Sequence, residues 1–272
     1  MKKSFIILAV CTLIIASLLT GCGSKPKGGG KIVVGATPAP HAEILEEVKK
    51  SLKEKGIDLE IKVFTDYVTP NTALADGSLD ANYFQHLPYL EDFIKENNLD
   101  LVSTGPVHYE PMGLYSEKIT DLSQLKDGDK IAIPNDVTNE ARALLLLQDN
   151  GILTLKDPSN LKATKTDVAA YSVKVDIVEL EAAQISRALP DVAAAIINGN
   201  YAIDAGLNPA TDALVSEEAD SLAAQTYANI VAVRNGDEDR PELKALYEVL
   251  TSDAIKSFIE EKYQGAVVPT GK

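Results

Sequence analysis

KIAIPNDVTNEARALLLLQDNG, residues 130–151, changes its periodicity halfway along. Residues 130–134 form a short apolar run of the kind a buried parallel strand requires. Over 138–150 the apolar residues fall at helical spacing, and Gly151 stops the helix because it tolerates a left-handed backbone. A polar turn joins the two, with Asp136 or Thr138 placed to cap the helix through a side-chain oxygen. A strand that feeds directly into a helix is half of a βαβ unit.

The same alternation continues on both sides. Upstream, 32–36 and 59–64 read as strands. Ile44, Leu45, Val48 and Leu52 make one helical face that ends at Gly56, and 71–76 reads as a short helix. Pro88 opens a further helix that buries Leu90, Phe93 and Ile94, and 101–109 is extended. Downstream, 175–180, 193–197 and 229–234 read as strands. A single C-terminal helix from Pro241 uses Leu243, Leu246, Tyr247, Leu250, Ile255, Phe258 and Ile259. Alternating β and α elements imply an α/β fold with parallel sheets flanked by helices.

The N-terminus predicts export. Lys2 and Lys3 precede an apolar run over 5–19, and Leu19-Thr20-Gly21-Cys22 follows. Basic, apolar and small-residue regions in this order make a signal peptide, expected at 1–21. The run is shorter than the roughly 20 residues of a membrane-spanning helix. Leu-Thr-Gly-Cys resembles a bacterial lipobox, which would make Cys22 the lipid attachment site. Cys11 lies inside the signal, so the mature chain would have no thiol to spare for a disulfide or a nucleophile. Residues 22–30, rich in Gly and Lys, read as a flexible tether.

Removing the signal leaves 251 of the 272 residues and takes the formal charge from −14 to −16, because Lys2 and Lys3 go with it. That length fits two sheets of four or five strands better than one long sheet. An acidic surface argues against nucleic acid and against a polybasic membrane contact. No G-x-S-x-G elbow, H-E-x-x-H pair or dinucleotide fingerprint occurs. We therefore expect no enzyme and no cofactor.

Two polar stretches carry candidate chemistry. In Asn82-Tyr83-Phe84-Gln85-His86-Leu87-Pro88-Tyr89, Phe84 and His86 face the same way if the segment is extended, at the strand-to-helix junction where open α/β sheets bind ligands. Core packing by Tyr83 and Phe84 is the alternative. In the opening stretch, Arg142 lies one turn into a helix whose N-terminus favours anions, and a guanidinium can grip a carboxylate through two N–H groups. Pairing of Arg142 with Glu140 or Asp149 is the alternative. Asn198 and Asn229, each at the end of an apolar run, could accept from an ammonium or donate to a carboxylate, and each also fits a turn. His41, His86 and His108 with a carboxylate would suit a divalent transition metal, although no metal-ligand spacing supports the site. A metal-capturing lipoprotein and an enzyme acting on amino acids or peptides are the rival readings.

Six stretches carry a closer likeness: DANYFQHLPYL (80–90), IAIPNDVTNEARALLLLQ (131–148), GI with LKD (151–157), IVELEAAQISRAL (177–189), INGNYAIDAGL (197–207) and YANIVAVR (227–234). In this order they resemble the methionine-binding lipoproteins of ABC importers over the whole mature domain. The resemblance implies a two-lobed, type II periplasmic-binding-protein-like fold, with 31–112 plus 230–272 as one lobe and 113–229 as the other. It implies that Arg142 holds the ligand carboxylate and that Asn135, Asn198 and Asn229 hold the amino-acid backbone. Phe84 and His86 would line the side-chain pocket, with Tyr67, Tyr89 and Glu110 as further walls. The implied ligand is L-methionine or a close analogue. The implied partners are an ABC permease and the membrane, reached through lipid on Cys22 at the extracytoplasmic face, with a monomeric protein closing on its ligand by hinge motion. One departure is Gln225-Thr226-Tyr227-Ala228, where family members often carry Ser-Pro-Tyr before the asparagine.

Overall fold

The computed structural model describes residues 30–218 and 225–270. The signal peptide, Cys22 and nearly all of the tether expected from the sequence lie outside the described residues.

The chain builds one sheet, leaves it to build a second, and returns to finish the first. β1 (Lys31–Ala36), β2 (Asp58–Val63), β3 (Ala81–His86) and β4 (Leu101–Tyr109) come first, with α1 (Glu43–Glu54), α2 (Thr69–Ala75) and α3 (Leu87–Asn97) between them. The second sheet takes β5 (Gly113–Tyr115), β6 (Lys130–Pro134), β9 (Asp176–Leu180), β10 (Ala194–Ile197) and β11 (Val215–Ser216). A separate ribbon pairs β7 (Leu153–Leu155) with β8 (Val168–Tyr171). Around them lie α4 (Val137–Asp149), α5 (Ala182–Ala188) and α6 (Gly199–Asp204). The chain re-enters the first sheet as β12 (Asn229–Arg234), adds α7 (Pro241–Leu250) and α8 (Asp253–Tyr263), and ends on β13 (Val268–Pro269).

Strand order is β13-β4-β12-β3-β1-β2 in the first sheet and β11-β5-β10-β6-β9 in the second. β1 pairs in parallel with both β2 and β3, and β6 with both β9 and β10. The returning strand β12 runs antiparallel to β3 and β4, and β5 runs antiparallel to β10 and β11. Each sheet is therefore mixed rather than parallel throughout, with a parallel triplet at one edge (β3-β1-β2 and β10-β6-β9) and antiparallel strands on the other side. Each has its own core. Ile32, Val34, Leu45, Val48, Leu246 and Ile259 pack the first, and Ile131, Ile133, Leu144, Leu147 and Ile196 the second. Burying one such side chain contributes about 1.5–3 kcal/mol, and without a disulfide these two cores carry the fold.

The C-terminal helix expected from Pro241 onward is in fact two helices. Thr251 Oγ1 donates to the Tyr247 carbonyl at 2.9 Å and Ser252 Oγ to that of Val249 at 2.7 Å. Ser252 takes an extended backbone (φ −71°, ψ 154°) and starts α8. Hydroxyl side chains that bond back to the preceding turn compete with helix continuation.

The chain crosses from the first sheet to the second at 110–112, and the return crossing begins at Glu217 and ends before Asn229. The two crossings are fastened to each other, since Glu217 N–H donates to the Met112 carbonyl at 3.1 Å and Met112 N–H donates to Glu217 Oε2 at 2.8 Å.

Candidate functional site

Strand ends converge on the gap between the lobes. In the first sheet Asn229 stands opposite His86 on one side and His108 on the other. In the second, the carboxyl ends of β6 and β10 deliver α4 and Asn198. This is the strand-to-helix edge where the sequence places a ligand. The enclosed space is lined by Tyr67, Phe84, His86, Tyr89, Glu110, Asn139, Arg142, Asn198 and Asn229, among others, and holds about 330 Å³ of atom-free volume including the solvent at its mouth. Polar groups and aromatic rings converge on it from both sheets, the mixed lining that ligand pockets show.

Contacts across the gap show a closed arrangement. His86 Nε2 and Asn139 Oδ1 are 3.1 Å apart, Tyr201 OH donates to the Thr65 carbonyl at 3.2 Å, and Tyr67 OH donates to Asn200 Oδ1. At the rim Lys162 pairs with Asp92.

Asp136 caps α4, with Oδ1 accepting from Asn139 N–H at 3.0 Å. Its carboxylate also accepts from Asn139 Nδ2, so the Asn139 carbonyl turns toward the gap. There it accepts from Asn198 Nδ2 at 2.8 Å. This commits the Asn198 amino group and leaves Asn198 Oδ1 buried without a donor among the described residues. Asn135, expected in the site, is exposed and lines a wider outer chamber with Asp66, Asp136 and Glu181. Asn139 takes the inner position instead. It lies three residues before Arg142 and so shares its helical face, a spacing visible in the sequence but not used.

Arg142 is buried, at 4% exposure. It pairs with neither Glu140 nor Asp149 but with Glu217, through Nε to Oε1 at 2.8 Å and NH2 to Oε2 at 2.6 Å. NH2 also donates to the Glu110 carbonyl at 2.9 Å. The guanidinium lies over the Tyr227 ring at 4.5 Å. Burial works against its charge, but the Glu217 carboxylate more than offsets this and holds its pKa above the ordinary value. Neither Glu217 nor Tyr227 was foreseen. Both come from the second crossing, far from α4 in sequence.

Two of the three histidines meet. His108 Nε2 lies 2.6 Å and His41 Nε2 3.3 Å from Glu110 Oε1, and the donor atoms of all three groups fall within 4.8 Å of one another. These are the residues best placed to hold a metal. Their ring nitrogens are nevertheless engaged: His108 Nδ1 with Tyr83 OH, His41 Nδ1 with Thr37 Oγ1 at 2.8 Å, and His41 Nε2 with Asn229 Oδ1 at 3.2 Å. His86, counted with them from sequence, stands outside the cluster, where its Nδ1 accepts from Tyr89 N–H at 3.1 Å. Burial lowers the pKa of His41 to about 4, with Glu110 partly opposing, and those of His86 and His108 to about 3. All three are neutral at pH 7. Burial raises the pKa of Glu110, against the pull of His41 and Arg142.

Tyr67, Phe84 and Tyr89 form an aromatic wall, with Tyr67 5.8 Å from Phe84 and 5.7 Å from Tyr89 between ring centroids. Gly199 closes the floor. A Cβ there would lie 2.6 Å from Glu110 Cβ and 3.2 Å from the Pro111 carbonyl. Gly199→Ala is expected to lower stability by about 1–3 kcal/mol through overpacking at the first crossing. Urea unfolding checks this, and an unchanged midpoint contradicts it.

The family model of the NlpA lipoproteins matches residues 32–271. The chain belongs to the NlpA lipoprotein family. The methionine-binding lipoprotein MetQ of Bacillus subtilis (strain 168) is 44% identical over the full length of both chains. Among solved structures, a nutrient-binding protein from Burkholderia cenocepacia bound to methionine has a TM-score of 0.83 at 42% identity, covering 88% of this chain and 99% of that one. Lipoprotein Tp32 from Treponema pallidum has a TM-score of 0.84 at 40% identity, covering 89% and 99%. The fold expected from the sequence, two α/β lobes around a cleft in the manner of periplasmic binding proteins, is that of these NlpA relatives. Among the described residues of this NlpA lipoprotein no helix is long and apolar enough to cross a membrane.

Proposed function

We propose that this protein captures methionine between its lobes and delivers it to the permease of an ABC importer, as a monomer held at the extracytoplasmic membrane face by lipid on Cys22. One lobe would comprise 31–112 with 229–270, since Asn229 already belongs to β12, and the other 113–218. The observation that carries the reading is one cavity with two complementary polar ends. Asn198 Oδ1 is a buried acceptor without a donor, and Arg142 NH1 is the part of the guanidinium with no bond to another described residue. A zwitterion satisfies both. Its carboxylate meets Arg142, and its ammonium meets Asn198 Oδ1, with Glu110 and Asn229 as neighbouring acceptors. Asn139 serves here in place of Asn135.

The side chain then runs along Tyr67, Phe84, His86 and Tyr89. A thioether gains about 0.3–1.5 kcal/mol per aromatic contact, which favours methionine over a branched aliphatic side chain of similar bulk. The names of the B. subtilis and B. cenocepacia relatives support the same ligand. A ligand that binds the closed form more tightly than the open one would shift the lobes toward the closed form. Binding without turnover is the whole of the proposed activity.

Calorimetry on protein freed of ligand should show one methionine bound per chain with Kd at or below about 1 μM, roughly −8 kcal/mol. Absence of heat with either enantiomer would refute the ligand assignment.

A further inference from the structure

The Arg142 guanidinium has five N–H donors, and three are committed inside the protein. Two of these go to Glu217, whose carboxylate also accepts from Tyr109 OH at 2.6 Å and from Met112 N–H at 2.8 Å. Glu217 is thus fixed by two groups other than Arg142, on a side chain 8% exposed. It does not line the interlobe cavity. With Arg142 it lines a groove on the other side of the guanidinium. It therefore grips Arg142 along the Nε–NH2 edge and leaves the NH1 end without a partner among the described residues. A buried guanidinium in such a grip carries almost no net charge to the ligand beyond its hydrogen bonds.

We propose that Glu217 is a positioning and selectivity residue: it aims Arg142 NH1 at the ligand carboxylate and cancels the guanidinium charge, so that the site accepts zwitterions and rejects simple carboxylate anions. This rests on the reading of the cavity as an amino-acid site. An unpaired buried arginine would attract any small carboxylate that fitted. A paired one makes binding depend on the ammonium and its acceptors, Asn198 Oδ1 and Glu110. Complementary charges set which partners are excluded as much as which are bound.

The test compares L-methionine with 4-(methylthio)butanoate, the same molecule without its amino group, by calorimetry on ligand-free protein. Wild type should bind the butanoate at least about 100-fold more weakly than methionine, since the ammonium acceptors go unmet. In Glu217→Gln the charge is gone, and this ratio should fall by about tenfold or more. Glu217→Asp keeps the charge but shortens the reach. It should weaken methionine by about tenfold while holding the ratio near that of wild type.

If Glu217→Gln weakens both ligands by one factor and leaves the ratio standing, the side chain is merely structural and the inference is overturned. Should the glutamine variant fail to fold, Glu217→Asp decides, and unchanged methionine affinity there overturns it. A wild type that binds no methionine sinks the amino-acid reading and this inference together. Wild-type binding with an unaltered ratio sinks this inference alone.

Discussion

Arg142→Ala is expected to abolish measurable methionine binding and to cost about 3–5 kcal/mol of stability at the same time. Both losses have one origin. The side chain is buried between Tyr227 and the Glu217 carboxylate. Removing it takes away the hydrogen-bond donor proposed for the ligand carboxylate and strands Glu217, 8% exposed, without its counter-charge. Truncating one member of a buried, hydrogen-bonded charge pair costs much because the other charge stays behind. The double variant Arg142→Leu with Glu217→Leu separates the effects. With both charges gone, stability should recover most of what was lost, while methionine binding should not. Urea unfolding and calorimetry measure the two. Methionine binding of wild-type strength in Arg142→Ala would remove this residue from the site.

Folding stability is expected to drop between pH 7.5 and 5.5, the three histidines alone taking away about 4 kcal/mol. His41, His86 and His108 have folded pKa values of about 4, 3 and 3, lowered by burial from the ordinary 6.5. The unfolded chain therefore takes up protons first as pH falls. For each histidine, stability is fully present above about 6.5 and declines by about 1.4 kcal/mol per pH unit below it, until the folded value is reached. Glu110 acts with the opposite sign. Its folded pKa lies above the ordinary carboxyl value, so its cost is present at neutrality and is relieved on acidification. Glu140, whose pKa burial raises to about 7, acts the same way within this window, as do Asp136 and Asp149, and together these carboxyls offset part of the three imidazoles. Urea unfolding at the two pH values gives the difference directly, and equal stabilities would mean that the histidines are not held neutral.

The βα alternation was legible because each element has a local signal. The run over 130–134 and the helix after it match β6 and α4 to within a residue. The break at Thr251-Ser252 also had a local signal, a hydroxyl pair followed by Asp253, but the apolar periodicity of 243–259 runs across it and obscured it. β5, β11 and β13 span two or three residues each and are defined by their partners rather than by their own pattern. Of the residues that line the cavity, Arg142, Asn198, Asn229, Phe84 and His86 were readable because they sit at junctions between elements. Glu217 was not, because it reaches Arg142 across 75 residues with nothing distinctive around it. Asn135 was misplaced for a geometric reason. The strand-to-helix turn points it outward, and the residue one turn into the helix faces in.

Glu217 fastens the two crossings to each other and holds Arg142 beside them, and the proposed opening of the cleft would turn on them. A rotating body moves each of its atoms in proportion to the distance from the axis. Arg142 is close to the fulcrum, whereas Asp92 with Lys162 bridges the gap at the rim. A modest swing would part this outer bridge while barely displacing the guanidinium. Release of a cargo held this way is governed at the lips, so a membrane partner gains the most leverage by prying the rim apart.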